Sequence, residues 1–158
     1  MIELYSRRVH VLGSTRHPDE AFVVQAFRGL TADGNVLRAG RFLICDRDPK
    51  WSGAVEALLR AVGVRVVRTP AAAPNCNAHA ERFVRSIKTE CLDLVIPIGE
   101  WHLRRLVRAF VEHYHQERNH QGIGNELIER SPLRQTSGPV RRRERVVGIL
   151  SYCYRSAA

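Results

Sequence analysis

Phe42-Leu43-Ile44-Cys45-Asp46-Arg47-Asp48-Pro49 is the stretch on which the fold turns. Four consecutive apolar residues stop abruptly at three charges and a proline. A run of this kind suits a strand buried on both faces that delivers polar residues at its carboxyl end. Downstream, residues 53–62 read as a short helix with Val55, Leu58, Leu59 and Val62 on one side, Gly63 ends it, and residues 64–67 form a second strand. Upstream, residues 2–5 and 9–13 are short extended segments around Ser6-Arg7-Arg8, suited to a hairpin. Residues 18–30 read as a helix, with Pro18 at its first position, Asp19 and Glu20 at its positive end, and Ala21, Phe22, Val24, Ala26 and Phe27 as its apolar content. Asp33-Gly34-Asn35 is a turn signal. Strand–helix–strand thus occurs twice in the first 70 residues, which predicts an α/β sheet with crossovers.

The second half is helical. Residues 69–76 hold two prolines and three alanines and read as loop. Asn77 suits an N-cap, and the helix expected from 78 to about 93 turns Ala80, Val84, Ile87 and Cys91 to the core. A longer helix over 100–118 buries Leu103, Leu106, Val107, Phe110 and Tyr114. Arg141-Arg142-Arg143-Glu144-Arg145 is a basic cluster, and residues 146–154 suit either a strand or a short helix.

At 158 residues the chain has the length of one domain, and its 44% hydrophobic and 26% charged content excludes global disorder. No run approaches the ~20 apolar residues that span a bilayer, and the first residues lack the pattern of a signal peptide. Cys45, Cys76, Cys91 and Cys153 are scattered, none in a C-x-x-C pair, and are expected to be reduced thiols of a cytoplasmic protein. Lys and Arg number 25 against 16 Asp and Glu, a net charge of +9 with a pI near 10.2, which favours a polyanionic partner such as nucleic acid.

Two acids stand out. Asp46 sits where a buried strand ends, the position at which open α/β sheets gather ligands, and Glu81 lies in the first turns of a helix entered through a proline-rich loop. Two carboxylates brought together there suit a hard divalent cation, and two cations can align the attacking and leaving oxygens of a phosphodiester. The plainer reading is that Asp46 organises a loop and Glu81 complements the helix dipole. Arg85 and Lys88 fall within about 40° of Glu81 on one helical stripe, so metal and phosphate can be held side by side, or the charges can simply pair along the helix.

Residues 45–51, Gly63-Val64, Thr69-Pro70 and Ala73-Pro74-Asn75-Cys76-Asn77-Ala78-His79-Ala80-Glu81-Arg82-Phe83 resemble the catalytic core of integrase-like DDE transposases, members of the retroviral-integrase superfamily. His113-Tyr114-His115-Gln116-Glu117-Arg118-Asn119-His120-Gln121-Gly122 is similar to that family's closing segment. The resemblance implies a ribonuclease-H-like mixed sheet flanked by helices. It also implies a triad of two Asp and one Glu that binds two Mg²⁺ or Mn²⁺ ions, cuts DNA and transfers the strand to a target. Asp46 matches the second Asp and Glu81 the Glu, with 34 residues between them. Arg85 and Lys88 match cations set against the DNA end, Asn75 and Asn77 lie in the loop before the catalytic helix, and Arg82 joins the DNA-binding set. The family's first Asp and its central strand have no counterpart here, so the chain is expected to be truncated at its amino end and inactive in isolation. Residues 1–135 are then a partial core and 136–158 a basic C-terminal tail.

The resemblance implies mobile-element ends and target DNA as partners, with no membrane partner, and nucleoid association in a bacterial cell. Homo-oligomerisation stays open. The alternative function is a non-catalytic DNA-binding remnant of a mobile element. The closely spaced His113, His115 and His120 read as surface or DNA-facing groups rather than metal ligands, Trp51 and Trp101 as packing residues, and the 141–145 cluster equally as a phosphate-contacting tail or a solvated end.

Overall fold

The computed structural model describes residues 1–32, 36–71, 73–129 and 137–156. The turn expected at Asp33-Gly34-Asn35 lies outside the described residues. The chain is mixed α/β, with helices α1 (Glu20–Ala32), α2 (Gly53–Ala61), α3 (Ala78–Glu90) and α4 (Gly99–Gln116). The strands are β1 (Phe42–Cys45), β2 (Arg65–Arg68), β3 (Val140–Arg145) and β4 (Leu150–Arg155), in two sheets of two strands each. Two compact units result, one of Met1 with His10–Ala78 and one of Ile2–Val9 with His79–Ala158.

In the first unit, β1 and β2 pair in parallel, Leu43 against Val66 and Cys45 against Arg68, with α2 as the crossover. Ser52 caps α2 by accepting a bond from the Val55 N–H. The helix ends in a Schellman arrangement, with the Gly63 N–H donating to the Arg60 carbonyl and the Val64 N–H to that of Leu59. Gly63 has a φ of +75°, and a Cβ there would stand 2.8 Å from that of Ala39, so conformation and space both require glycine. Phe27, Leu37, Leu43, Val55, Leu59 and Val64 form this unit's core.

Three expectations change in this unit. β1 is buried on one face only, since Leu43 and Cys45 are inside while Phe42 is 62% exposed and Ile44 is exposed beside it. An apolar run does not reveal whether a second layer covers it. The first strand–helix–strand repeat is absent among the described residues, because residues 2–13 give only a single bridge, Ile2 to Val9, outside this sheet. Pro18 precedes α1 rather than opening it, and the Asp19 carboxylate accepts the Phe22 N–H at 2.8 Å as the cap.

The second unit is built on α3 and α4. Phe110 is fully buried among Ile87, Cys91, Leu106, Tyr114 and Leu150, with its ring 6.1 Å from that of Phe83 and 6.0 Å from that of Tyr114. Of the expected stripe of α4, Leu106, Phe110 and Tyr114 are buried and Val107 packs on the core, while Leu103 is only half-buried. The stripe of α3 is shifted, because Val84 is 53% exposed while Phe83 packs on the core with Ile87 and Cys91. Asn77 stands inside a 3-10 turn, Pro74–Asn77, that runs straight into α3, so it occupies no extended N-cap. Residues 140–155 form an antiparallel hairpin, β3 on β4, with Arg143 opposite Tyr152 and Arg141 opposite Tyr154.

The histidines of α4 are not surface groups. His113 and His115 are buried, and the Nε2 of His115 accepts the Val9 N–H at 2.9 Å, fastening Ile2–Val9 to this unit. His113 Nδ1 lies 2.9 Å from a carboxylate oxygen of Glu117. His120 bonds the Tyr114 carbonyl, and burial lowers its pKa.

Candidate nucleic-acid and metal site

Asp46 immediately follows β1, so its carboxylate emerges at the carboxyl end of a parallel strand pair, where backbone groups no longer take part in the ladder. The loop after it is organised by its own acids. Asp46 Oδ1 accepts the Trp51 indole N–H at 2.8 Å and the Asp48 N–H at 3.3 Å. Asp48 in turn accepts the Lys50 N–H at 2.9 Å and the Lys50 ammonium at 3.1 Å, and these bonds lower its carboxyl pKa, the backbone bond most. Trp51 therefore does two things, resting its ring 5.5 Å from that of Phe27 and fixing the direction of the Asp46 carboxylate. That second role was not visible in the sequence. An aromatic five residues after an acid is too common a spacing to signal a bond. Asp46 is exposed.

The neighbouring strand end is ordered by guanidinium groups. Arg47 Nε donates to the Thr69 carbonyl at 3.1 Å, and Arg68 bonds both the Trp51 carbonyl and Glu56, at 2.6 Å each. The loop that carries Asp46 is thus held at both ends.

Glu81, Arg82, Arg85 and Lys88 are exposed on α3. No hydrogen bond or ion pair engages the side chains of Glu81, Arg85 or Lys88 among the described residues, so the charges are not consumed by pairing along the helix. His79, one turn earlier, has a pKa lowered first by burial and then by the positive charges of Arg7 and Arg82. Arg7 is therefore a further cation at the start of this helix. It comes from a distant part of the sequence, and only the fold brings it there. Asn75 is exposed and Asn77 half-buried in the turn before α3.

The donor chemistry of Asp46 and Glu81 suits Mg²⁺ or Mn²⁺, since both are solvent-facing carboxylates and hard cations take oxygen ligands with water completing the shell. The two belong to different compact units. Among the described residues, no group of three or more His, Cys, Asp or Glu is gathered as a metal would require. Trp101, read as a packing residue, is 72% exposed with Arg105 stacked 5.5 Å above its ring. No described helix is long and apolar enough to cross a membrane.

The family model described as integrase core domain matches residues 62–126. The match takes in β2, α3 and α4, and with them Asn75, Asn77, Glu81, Arg82, Arg85 and Lys88, while Asp46 lies before it. This stretch is similar to an integrase core domain. No curated protein matches the chain.

Proposed function

We propose that this chain, with its integrase core segment over residues 62–126, serves DNA integration or transposition, binding DNA and contributing to metal-dependent phosphodiester cleavage and strand transfer. The observation that carries the reading is α3 itself. Inside the matched stretch it exposes one carboxylate, Glu81, together with three cations, Arg82, Arg85 and Lys88. Asp46 and Glu81 are the proposed metal ligands, within a ribonuclease-H-like arrangement. Bound there, Mg²⁺ or Mn²⁺ supplies the charge that stabilises attacking and leaving oxygens of a phosphodiester. The protein's own part is to aim the Asp46 carboxylate through Trp51 and to hold DNA phosphates on Arg82, Arg85 and Lys88. A bridging third carboxylate is needed to keep two ions ~3.5–4 Å apart, so the isolated chain is expected to bind DNA without cutting it.

The test is duplex DNA affinity as a function of salt, combined with Mn²⁺ calorimetry. Log affinity should fall linearly with log salt, and Arg85→Ala with Lys88→Ala should make the slope shallower by up to about 0.9 per lost phosphate contact. An unchanged slope removes α3 from the DNA interface. Asp46→Asn or Glu81→Gln should abolish Mn²⁺ heat, and binding that survives both substitutions places the metal elsewhere. DNA binding that keeps its slope dependence with no Mn²⁺ heat in the unsubstituted protein would favour the non-catalytic DNA-binding remnant.

A further inference from the structure

The hairpin β3–β4 carries a face that the integrase reading leaves unused. Directly opposed residues of an antiparallel pair share a face, so Arg141, Arg143, Tyr152 and Tyr154 lie on one side of the ribbon. The rings of Tyr152 and Tyr154 are 5.8 Å apart, Arg143 lies 5.8 Å over the Tyr154 ring, and its guanidinium reaches the Tyr152 hydroxyl at 3.4 Å. The inner end is anchored to the body of its unit, with Leu150 in the core and Arg145 bonded to Glu112 and Glu117. Beyond the anchor, Arg141, Arg143 and Tyr154 are exposed. Glu144, the only acid of the two strands, is on the opposite face and pairs with Arg142 at 3.1 Å. Beyond the buried Leu150 and the paired Arg145, the outer part of this face is therefore cationic and aromatic, on a two-stranded support anchored at one end.

We propose that this face binds single-stranded DNA, with the exposed Tyr154 stacking on a base, Arg141 and Arg143 holding phosphates, and Tyr152, half-buried with its ring 6.4 Å from that of His113, backing the Tyr154 ring. Cationic surfaces interleaved with aromatic rings are the general solution for single strands, because every base offers a π-face whatever its identity. Geometry selects the single strand over the duplex. The exposed Tyr154 ring takes a base only through its π-face, and in a duplex that face is covered by the neighbouring base pair ~3.4 Å away. A base reaches the Tyr154 ring only after leaving its own stack, which a duplex resists. Charge complementarity supports the same occupant, since neither guanidinium on this face is neutralised by an acid across the ribbon.

The experiment is fluorescence anisotropy on the full chain in EDTA, with labelled oligo-dT of about 12 nucleotides, an abasic strand of equal length, and the corresponding duplex. Oligo-dT should bind more tightly than the abasic strand. Tyr154→Leu should weaken oligo-dT binding about tenfold and leave the abasic strand unaffected, while Tyr154→Phe should bind as the unsubstituted protein does. Arg141→Gln with Arg143→Gln should lower the salt slope by about 1.4 on single strands. Equal affinity for the abasic and base-bearing strands overturns the proposal, as does a Tyr154→Phe protein as weak as Tyr154→Leu. If Tyr154→Leu does not fold, the abasic comparison and the Phe variant still decide. No metal enters these measurements and α3 is intact throughout, so the result is separate from that of the duplex and Mn²⁺ tests.

Discussion

Phe110→Ala should destabilise the second unit by about 3–5 kcal/mol, the usual cost of removing a fully enclosed aromatic ring. Phe110 has no solvent exposure and stands between Phe83 and Tyr114, with Ile87 of α3, Cys91 just after it and Leu150 of the hairpin in the same cluster. Truncation therefore opens a cavity lined by three elements, and a packed interior collapses into such a space only partly. Denaturant unfolding followed by circular dichroism measures the loss. Val84→Ala is the matched control, because that residue is more than half exposed and its truncation should cost no more than about 0.5 kcal/mol. Equal effects from the two substitutions would mean that α3 packs in the register first expected from its sequence.

Glu117→Ala should cost about 2–3 kcal/mol and release the hairpin. The Glu117 side chain is only 4% exposed. It accepts Arg145 Nε at 2.8 Å and Nη2 at 2.7 Å, and its second oxygen lies 2.9 Å from His113 Nδ1. Breaking a buried ion pair from one side typically costs 3–5 kcal/mol, because a charge is left in low dielectric without its partner. Here Arg145 keeps Glu112 at 2.9 Å and some access to water, so the lower figure applies. Glu117→Gln preserves shape and one acceptor and should recover part of the loss. Amide exchange is the direct readout, with protection falling across residues 140–155 in the alanine variant. Unchanged protection there would mean that Leu150 and the Arg145–Glu112 pair hold the hairpin without Glu117.

Local pattern carried much of the architecture. The apolar run 42–45, the helix with its Gly63 stop, and the strand that follows were all legible because each rests on neighbours within a few residues. The stripe of α4 was legible for the same reason, since five apolar residues at helical spacing admit one buried face. Long-range partners were not legible. His115 looked like a surface group because the N–H that satisfies it belongs to Val9, 106 residues away, and His113 because only the fold buries its neighbour Glu117 one turn on. On α3, Phe83 and Val84 are adjacent, and only contact with α4 decides which of them turns inward. The candidate site divides in the same way. Arg85 and Lys88 follow from helical geometry around Glu81, whereas Trp51 bonding Asp46 and Arg7 acting on His79 depend on tertiary structure. The Arg/Tyr ribbon did leave a trace, since Arg141 and Arg143, like Tyr152 and Tyr154, recur at the period of two that marks one face of a strand.

The bond from the Val9 N–H to His115 spans 106 residues of chain. At synthesis rates of ~5–20 residues per second, a ribosome needs roughly 5–20 s to travel between them. Residues 10–78 complete the first unit well within that interval, because every strand and helix of that unit lies inside one contiguous stretch. Ile2–Val9 meanwhile remains without its destination, carrying Ile2, Leu4 and the two arginines Arg7 and Arg8. The nascent chain is thus finished in its middle before it is finished at either flank, and the second unit closes late, by recruiting a segment made long before the helix that receives it. A variant that weakens the core around α4, such as Phe110→Ala, holds the early segment less firmly and leaves it more often open to a chaperone or a protease.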